Sequence, residues 1–379
     1  MPLTDLGTRT YRDTQGGLYP GGANVRPPAH EALGARLATT VAPLNPAGKP
    51  DPEGRYVLLS IGMSNASFEF RALETLTTPD PDRDAHLVVV DGAQGSADAS
   101  KWANPTNAAW GEVDNRLATA GVTRGQVAVA WVKLAEAEPT GAWPDSALEL
   151  EANLERVARN LRVRYPNLRL AYFSSRTYGG YATTKLSPEP YAYESGFSVK
   201  LRVQKQLDRD PELNPDPLLG PVVAPWIAWG PYLWADGLRP RGDGLTWACT
   251  DFAEDGTNPA VPGRQKVAAL LLNFFKTDST ARQWYLATPG PAPPSTPPTT
   301  STAPVTTKAP PTTSTTSPAS APATTAGTTT EPVGDGASQD TSRRPGRPKP
   351  RRVLWIVGAF AAGGMYLVLG AAWRARRID

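Results

Sequence analysis

Four short blocks carry the side chains that could do chemistry. The first is Gly62-Met63-Ser64-Asn65, which follows an apolar run at residues 56–61. A serine in a tight strand-to-helix turn has its hydroxyl lifted above a sheet, and the helix N-terminus after it offers backbone N–H groups to an oxyanion. The second runs from Asp91-Gly92 through Gly95-Ser96 to Lys101-Trp102, where glycines allow close approach of backbone N–H groups to a bound atom. Lys133 closes a third apolar run and is the nearest polar side chain there. The fourth is Asp255-Gly256-Thr257-Asn258-Pro259, just ahead of a helical stretch.

The elements needed to bring these blocks together are legible as a pattern. Residues 56–61, 87–90, 127–132, 168–173 and 222–229 read as strands. Residues 66–76, 106–119, 146–165 and 263–276 read as helices, with another near 30–40. Strands alternating with helices predict a parallel sheet covered on both faces, an α/β three-layer sandwich. In such a sheet ligands bind beyond the carboxyl ends of the strands, which is where the first three blocks fall. Residues 176–250 are rich in Pro, Gly and aromatics and read as a cap or lid, and residues 1–50 as an N-terminal surface arm.

These blocks, in this order, resemble the SGNH/GDSL hydrolase superfamily. The Gly-Met-Ser-Asn turn is close to the first block of sialate O-acetylesterase-like carbohydrate esterases. The Gly95 stretch is similar to the second block, and Asp255–Pro259 to the last, which reads Asp-x-x-His-Pro in the family. The resemblance spans about residues 54–276. It implies that Ser64 attacks an ester carbonyl, that its own N–H and that of Gly95 (or Gly92) hold the oxyanion, and that a His oriented by Asp255 takes the serine proton. It implies an ester substrate, with an acylated glycan or cell-wall polysaccharide as one partner class.

The sequence departs from that pattern where the base should be. The residue three beyond Asp255 is Asn258, and an amide has no nitrogen basic enough to act as general base near neutral pH. The third block lacks the family's Asn donor, leaving Lys133 as the candidate in its place. The chain has only two His: His86 precedes the second strand, at the wrong end, and His30 lies in the N-terminal arm. Two readings stand: an ester hydrolase of weak activity, or an inactive glycan-binding or adhesion protein on the same fold. Trp226 and Trp229, within an aromatic-rich stretch, fit a sugar platform or ordinary core packing equally well. No metal-ligand spacing occurs, and no cofactor is expected. Asn65-Ala66-Ser67 is formally a glycosylation sequon, placed in the turn itself.

Charge divides the chain. The whole carries +3, but residues 288–379 hold 10 Lys/Arg against 4 Asp/Glu, so residues 1–287 carry −3. A mildly acidic globular part argues against nucleic-acid binding, which needs a clustered basic face. The single Cys excludes an intramolecular disulfide framework. From 288 to 330, 32 of 43 residues are Pro, Thr or Ser, which predicts a disordered stalk extending to 342. A basic segment follows at 343–352, then 21 uncharged residues at 353–373, about 31 Å as a helix and so one bilayer core. A short basic tail, 374–379, ends the chain. A single membrane-spanning helix is expected. The stalk favours an extracellular domain; the lack of a visible secretory signal favours a cytoplasmic-facing tail anchor.

Overall fold

A computed structural model describes residues 1–287. Five strands, β1 (Tyr56–Gly62), β2 (Leu87–Val90), β3 (Val127–Lys133), β4 (Leu170–Phe173) and β5 (Trp226–Trp229), form one sheet. Its order is β2-β1-β3-β4-β5, every pairing parallel. Four of the five strands are buried at every position, as a sheet covered on both faces requires. Their Val, Ile, Leu and aromatic content suits that setting.

Among the described residues the longer helices that cover the sheet are α1 (Pro28–Ala38), α2 (Ser64–Thr77), α3 (Ala108–Thr119), α4 (Asp145–Arg164), α5 (Tyr191–Leu207) and α6 (Val261–Thr277). Alternate strand residues split the core into two clusters. Ile61, Val132 and Phe173 pack with Trp110 of α3, Leu154 of α4 and Phe197 of α5. Leu58, Trp131 and Tyr172 pack with Leu37 of α1, Phe70 of α2 and Leu271 of α6. This is the expected three-layer arrangement. The strand order reverses at β1, so the switch point lies where β1 and β3 part to opposite sides, and Ser64 follows β1 directly.

Two expectations need correction. The 176–250 region is not only a loop-rich cap: it contains α5, seventeen residues packed against α4. Its buried positions include Glu194, Ser195, Ser198, Lys200 and Arg202, so burial there does not follow an apolar stripe and the period is masked. Residues 1–50 are more than a surface arm. Leu3, Leu6, Tyr19 and Leu37 are buried, and α1 lies against β5. Among the described residues no helix is long and apolar enough to cross a membrane. The expected stalk, basic segment, spanning helix at 353–373 and tail all lie outside the described residues.

Candidate active site

The turn that carries Ser64 is built by close packing. A Cβ on Gly62 would sit 2.4 Å from Ala66 Cβ and 2.8 Å from the Lys133 carbonyl, so only glycine lets β1 run this close to α2 and β3. Met63 is extended and α2 begins at Ser64 with no side-chain cap, so the first N–H groups of the helix face the site uncapped. The Gly62 carbonyl accepts from Gln94 N–H (3.0 Å) and Trp102 Nε1 (3.2 Å), which ties the second block to the first. Asp91 reinforces this: its carboxylate accepts from Ser60, Ser67 and Ala93 N–H.

The last block turns on Asp255. Its Oδ1 accepts from the N–H groups of Thr257 and Asn258, both at 2.9 Å. Its Oδ2 accepts from Asn258 Nδ2 at 2.5 Å. Burial works to raise the Asp255 pKa, but these donors and the Arg176 charge outweigh it and hold the carboxyl below its ordinary range. Ser64 Oγ then donates to Asn258 Oδ1 at 2.9 Å. The amide orientation follows from the network: an ionised carboxylate only accepts, so nitrogen faces Asp255 and oxygen faces Ser64. Ser64, Asn258 and Asp255 thus form one directed chain of hydrogen bonds, with the roles that a serine, a neutral imidazole and a carboxylate would take. Gly256 makes the turn possible. Its φ is +63°, and a Cβ there would fall 1.8 Å from the Tyr181 carbonyl.

The other expected donors fare differently. Gly95 is exposed with open space around it, and its N–H makes no backbone hydrogen bond. Gly92 is not available: its N–H donates to Ser60 Oγ at 3.0 Å, and the residue is buried. Lys133 is not available either. It is fully buried, and its Nζ donates to both oxygens of Glu69 at 2.5 and 2.6 Å. Burial pushes Lys133 down to about 8 and Glu69 up. The ammonium is held beneath the site by a partner on α2 and cannot also reach an oxyanion.

Trp226 and Trp229 are corrected to core residues. They are 0% and 2% exposed, and their indole N–H groups donate to the carbonyls of His30 and Leu18. Strand placement between two helical layers leaves them no face for a sugar. The aromatics beside the Asp255 turn are instead Tyr178 and Tyr181, half-buried and packed edge-to-face at 5.1 Å. Their loop is fixed to the turn by Thr183 N–H donating to the Asp255 carbonyl.

Neither His takes the vacant role. His30 stacks on Trp226 with ring centroids 4.8 Å apart, and its Nε2 pairs with the Ile227 carbonyl. Burial lowers its pKa to about 4, so it stays neutral in the core. His86 pairs through Nδ1 with the Gly54 carbonyl at the amino end of the sheet. Asn65 is 2% exposed, which removes the sequon from consideration.

Sequence reasoning missed the buried polar groups of α2 and of the segment after β4. Asn65 and Glu69 lie one helical turn apart on α2, and Arg176 follows β4. Arg176 is 2% exposed. Its one visible signal was a cation three residues beyond a fully buried strand. Among the described residues no cluster of His, Cys, Asp or Glu could hold a metal ion.

No family model matches the chain, and no curated protein matches it. It is similar to solved structures at low identity. Protein YxiM of Bacillus subtilis is 11% identical over 60% of this chain and 58% of its own, with a TM-score of 0.32. The chain therefore spans less than two thirds of that relative's length. A Bacteroides fragilis protein provisionally assigned as an acylhydrolase is 9% identical over 68% of this chain and 100% of its own, with a TM-score of 0.35. The periplasmic domain of a Salmonella Paratyphi A lipopolysaccharide acetyltransferase is 14% identical over 65% and 95%, with a TM-score of 0.34.

Proposed function

We propose that residues 1–287 form an SGNH-type acyl-ester site in which Ser64 is the nucleophile and hydrolysis is latent for want of a base. The hydrogen-bond chain from Ser64 through Asn258 to Asp255 carries this reading. Every part of the relay is in position except a nitrogen able to accept the proton. Ser64 Oγ points its proton at an amide oxygen that cannot hold it near neutral pH, so the hydroxyl remains a weak nucleophile. The N–H groups of Ser64 and Gly95 are the oxyanion donors in this reading. An acylated carbohydrate is the substrate class, on the resemblance of the Ser64 turn to carbohydrate esterases.

The test is Asn258→His. Loss of a general base typically costs about 10²–10⁴-fold, so restoring one should raise p-nitrophenyl acetate hydrolysis by about that factor. Adding Ser64→Ala to that variant should return it to the wild-type rate. An Asn258→His protein that folds and turns over no faster than wild type refutes the reading. The glycan-binding alternative loses the aromatic platform on which it rested, since Trp226 and Trp229 are buried.

We also propose that residues 353–373 anchor the domain in a membrane, with the Pro/Thr/Ser-rich segment as its stalk. Deleting 343–379 should move the protein from the membrane pellet to the supernatant. Protease digestion of intact cells reports the side: cleavage of the domain places it outside, and protection places it in the cytoplasm.

A further inference from the structure

Two buried polar side chains near the carboxyl ends of the central strands have more hydrogen-bonding capacity than the protein uses. Asn65 is 2% exposed, yet neither its Oδ1 nor its Nδ2 has a partner. Arg176 is also 2% exposed, and its Nε and Nη1 are buried without a partner. Buried polar groups are paired in the great majority of cases, and an orphaned charged donor is costly, because arginine cannot escape by losing its proton. Two such residues, one next to Ser64 in the chain and one just past the end of β4, mark a place where something else supplies the partner.

Position ties Arg176 to the site. The Gly62–Lys133 pair ends the β1–β3 ladder, and Ser174 N–H donates to the Val132 carbonyl, so the ends of β1, β3 and β4 lie side by side. Arg176 is two residues past that point, its own N–H held by Ser195 Oγ at 3.0 Å. The charges that act on it are those of Glu69, Glu189 and Asp255.

The state of those carboxylates decides what Arg176 can take. Glu69 spends both oxygens on Lys133. Glu189 accepts from Gly179 N–H, Trp234 Nε1 and Tyr193 N–H. Asp255 accepts from Thr257, Asn258 N–H and Asn258 Nδ2. Three carboxyl groups therefore lie around Arg176, each already paired with donors of the protein, while Nε and Nη1 of the guanidinium have no partner. An incoming anion would meet the repulsion of the Asp255 carboxylate, which is held ionised, beside two further carboxyl groups. A neutral oxygen would not, and it would still satisfy the donors.

We propose that Arg176 is a substrate-binding residue of the Ser64 site that donates to a neutral oxygen of the ligand, an ester carbonyl or a sugar hydroxyl, with Asn65 as its companion. This rests on the acyl-ester reading and deepens it. Arg176 fills from β4 the donor place that Lys133, locked to Glu69, leaves empty after β3.

The test uses the wild-type protein first. The Nε–H resonance of Arg176, assigned by its loss in Arg176→Lys, is followed by ¹H–¹⁵N correlation NMR during titration with three probes. Ethyl acetate supplies the ester carbonyl, glucose the sugar hydroxyls, and sodium acetate the anion. Ethyl acetate or glucose should shift the resonance saturably, and acetate should shift it less. A larger response to acetate overturns the proposal in favour of an anion site. No response to any probe overturns it in favour of permanently bound internal water. A second arm works in the Asn258→His background, where Arg176→Lys should raise KM for p-nitrophenyl acetate about tenfold or more. An unchanged KM in an active Asn258→His, Arg176→Lys protein counts against Arg176 alone. An inactive Asn258→His protein counts against the acyl-ester reading, and the NMR arm still decides the binding role.

Discussion

Replacing Lys133 with Met strands the Glu69 carboxylate in the core, and the size of the damage can be worked from the pair's geometry. Nζ lies 2.5–2.6 Å from both oxygens, with both side chains essentially unexposed. At an effective dielectric of about 20, two unit charges at that separation attract by about 6 kcal/mol. Desolvation of both ions offsets most of that, so the pair adds little net stability, yet removing one partner costs about 3–5 kcal/mol. With a urea m-value of about 3 kcal/mol/M, the unfolding midpoint at pH 8 should fall by about 1–1.7 M. The deficit must depend on pH. Burial already raises the Glu69 pKa, and the Met variant removes the ammonium that opposes the rise. Between the unfolded value of about 4.3 and the raised folded value, folded Glu69 binds more protons than unfolded Glu69. This contribution to stability is therefore fully present below about pH 4.3 and is lost as pH rises through the folded pKa. Chemical denaturation followed by tryptophan fluorescence from pH 4 to 8 checks both features. Adding Glu69→Leu should recover most of the loss, since an apolar pair removes the orphaned charge. A Lys133→Met protein within about 0.5 kcal/mol of wild type at pH 8 would refute the reasoning, as would a double variant weaker than the single one.

Other consequences are as direct. Gly256→Ala, with a positive φ and a backbone oxygen where its Cβ must go, should cost at least about 2 kcal/mol in urea unfolding and abolish any activity gained by Asn258→His. Gly95→Ala, facing open space, should stay within about 0.5 kcal/mol of wild type in the same measurement. His30 should give the domain an acid-sensitive step. Its folded pKa of about 4 lies below the unfolded value of about 6.5, so the unfolded chain binds more protons in that window and stability falls as pH drops through it. The fall should reach about 3 kcal/mol between pH 7 and 4 and should shrink in His30→Gln, as read from urea midpoints.

The strands were legible because a parallel sheet covered on both faces demands unbroken apolar runs. Leu87–Val90 and the start of Val127–Lys133 are plain in the sequence. The Ser64 turn was legible as a serine directly after a buried apolar run, and the Asp255 turn from its resemblance and its place ahead of a helical stretch. What stayed hidden were burial and partnership. Trp226 has the same identity whether it faces a sugar or packs on His30, and only the layers around it decide. Lys133 looked like a free donor because Glu69, its partner, is 64 residues away in sequence. Helix α5 was masked by the polar residues it buries, and Arg176 by standing alone after its strand.

The directed bonds at Asn258 bear on inheritance as much as on catalysis. Codons for asparagine and histidine share their second and third bases and differ only in the first. Asn258 already accepts from Ser64 and donates to Asp255, so an imidazole arriving there would find its neighbours in the right protonation states and the turn already folded. On the acyl-ester reading, a single nucleotide change would thus supply the base that the relay from Ser64 to Asp255 lacks. The change would need no rebuilding of the turn, which Gly256 and the Asp255 hydrogen bonds already hold in shape.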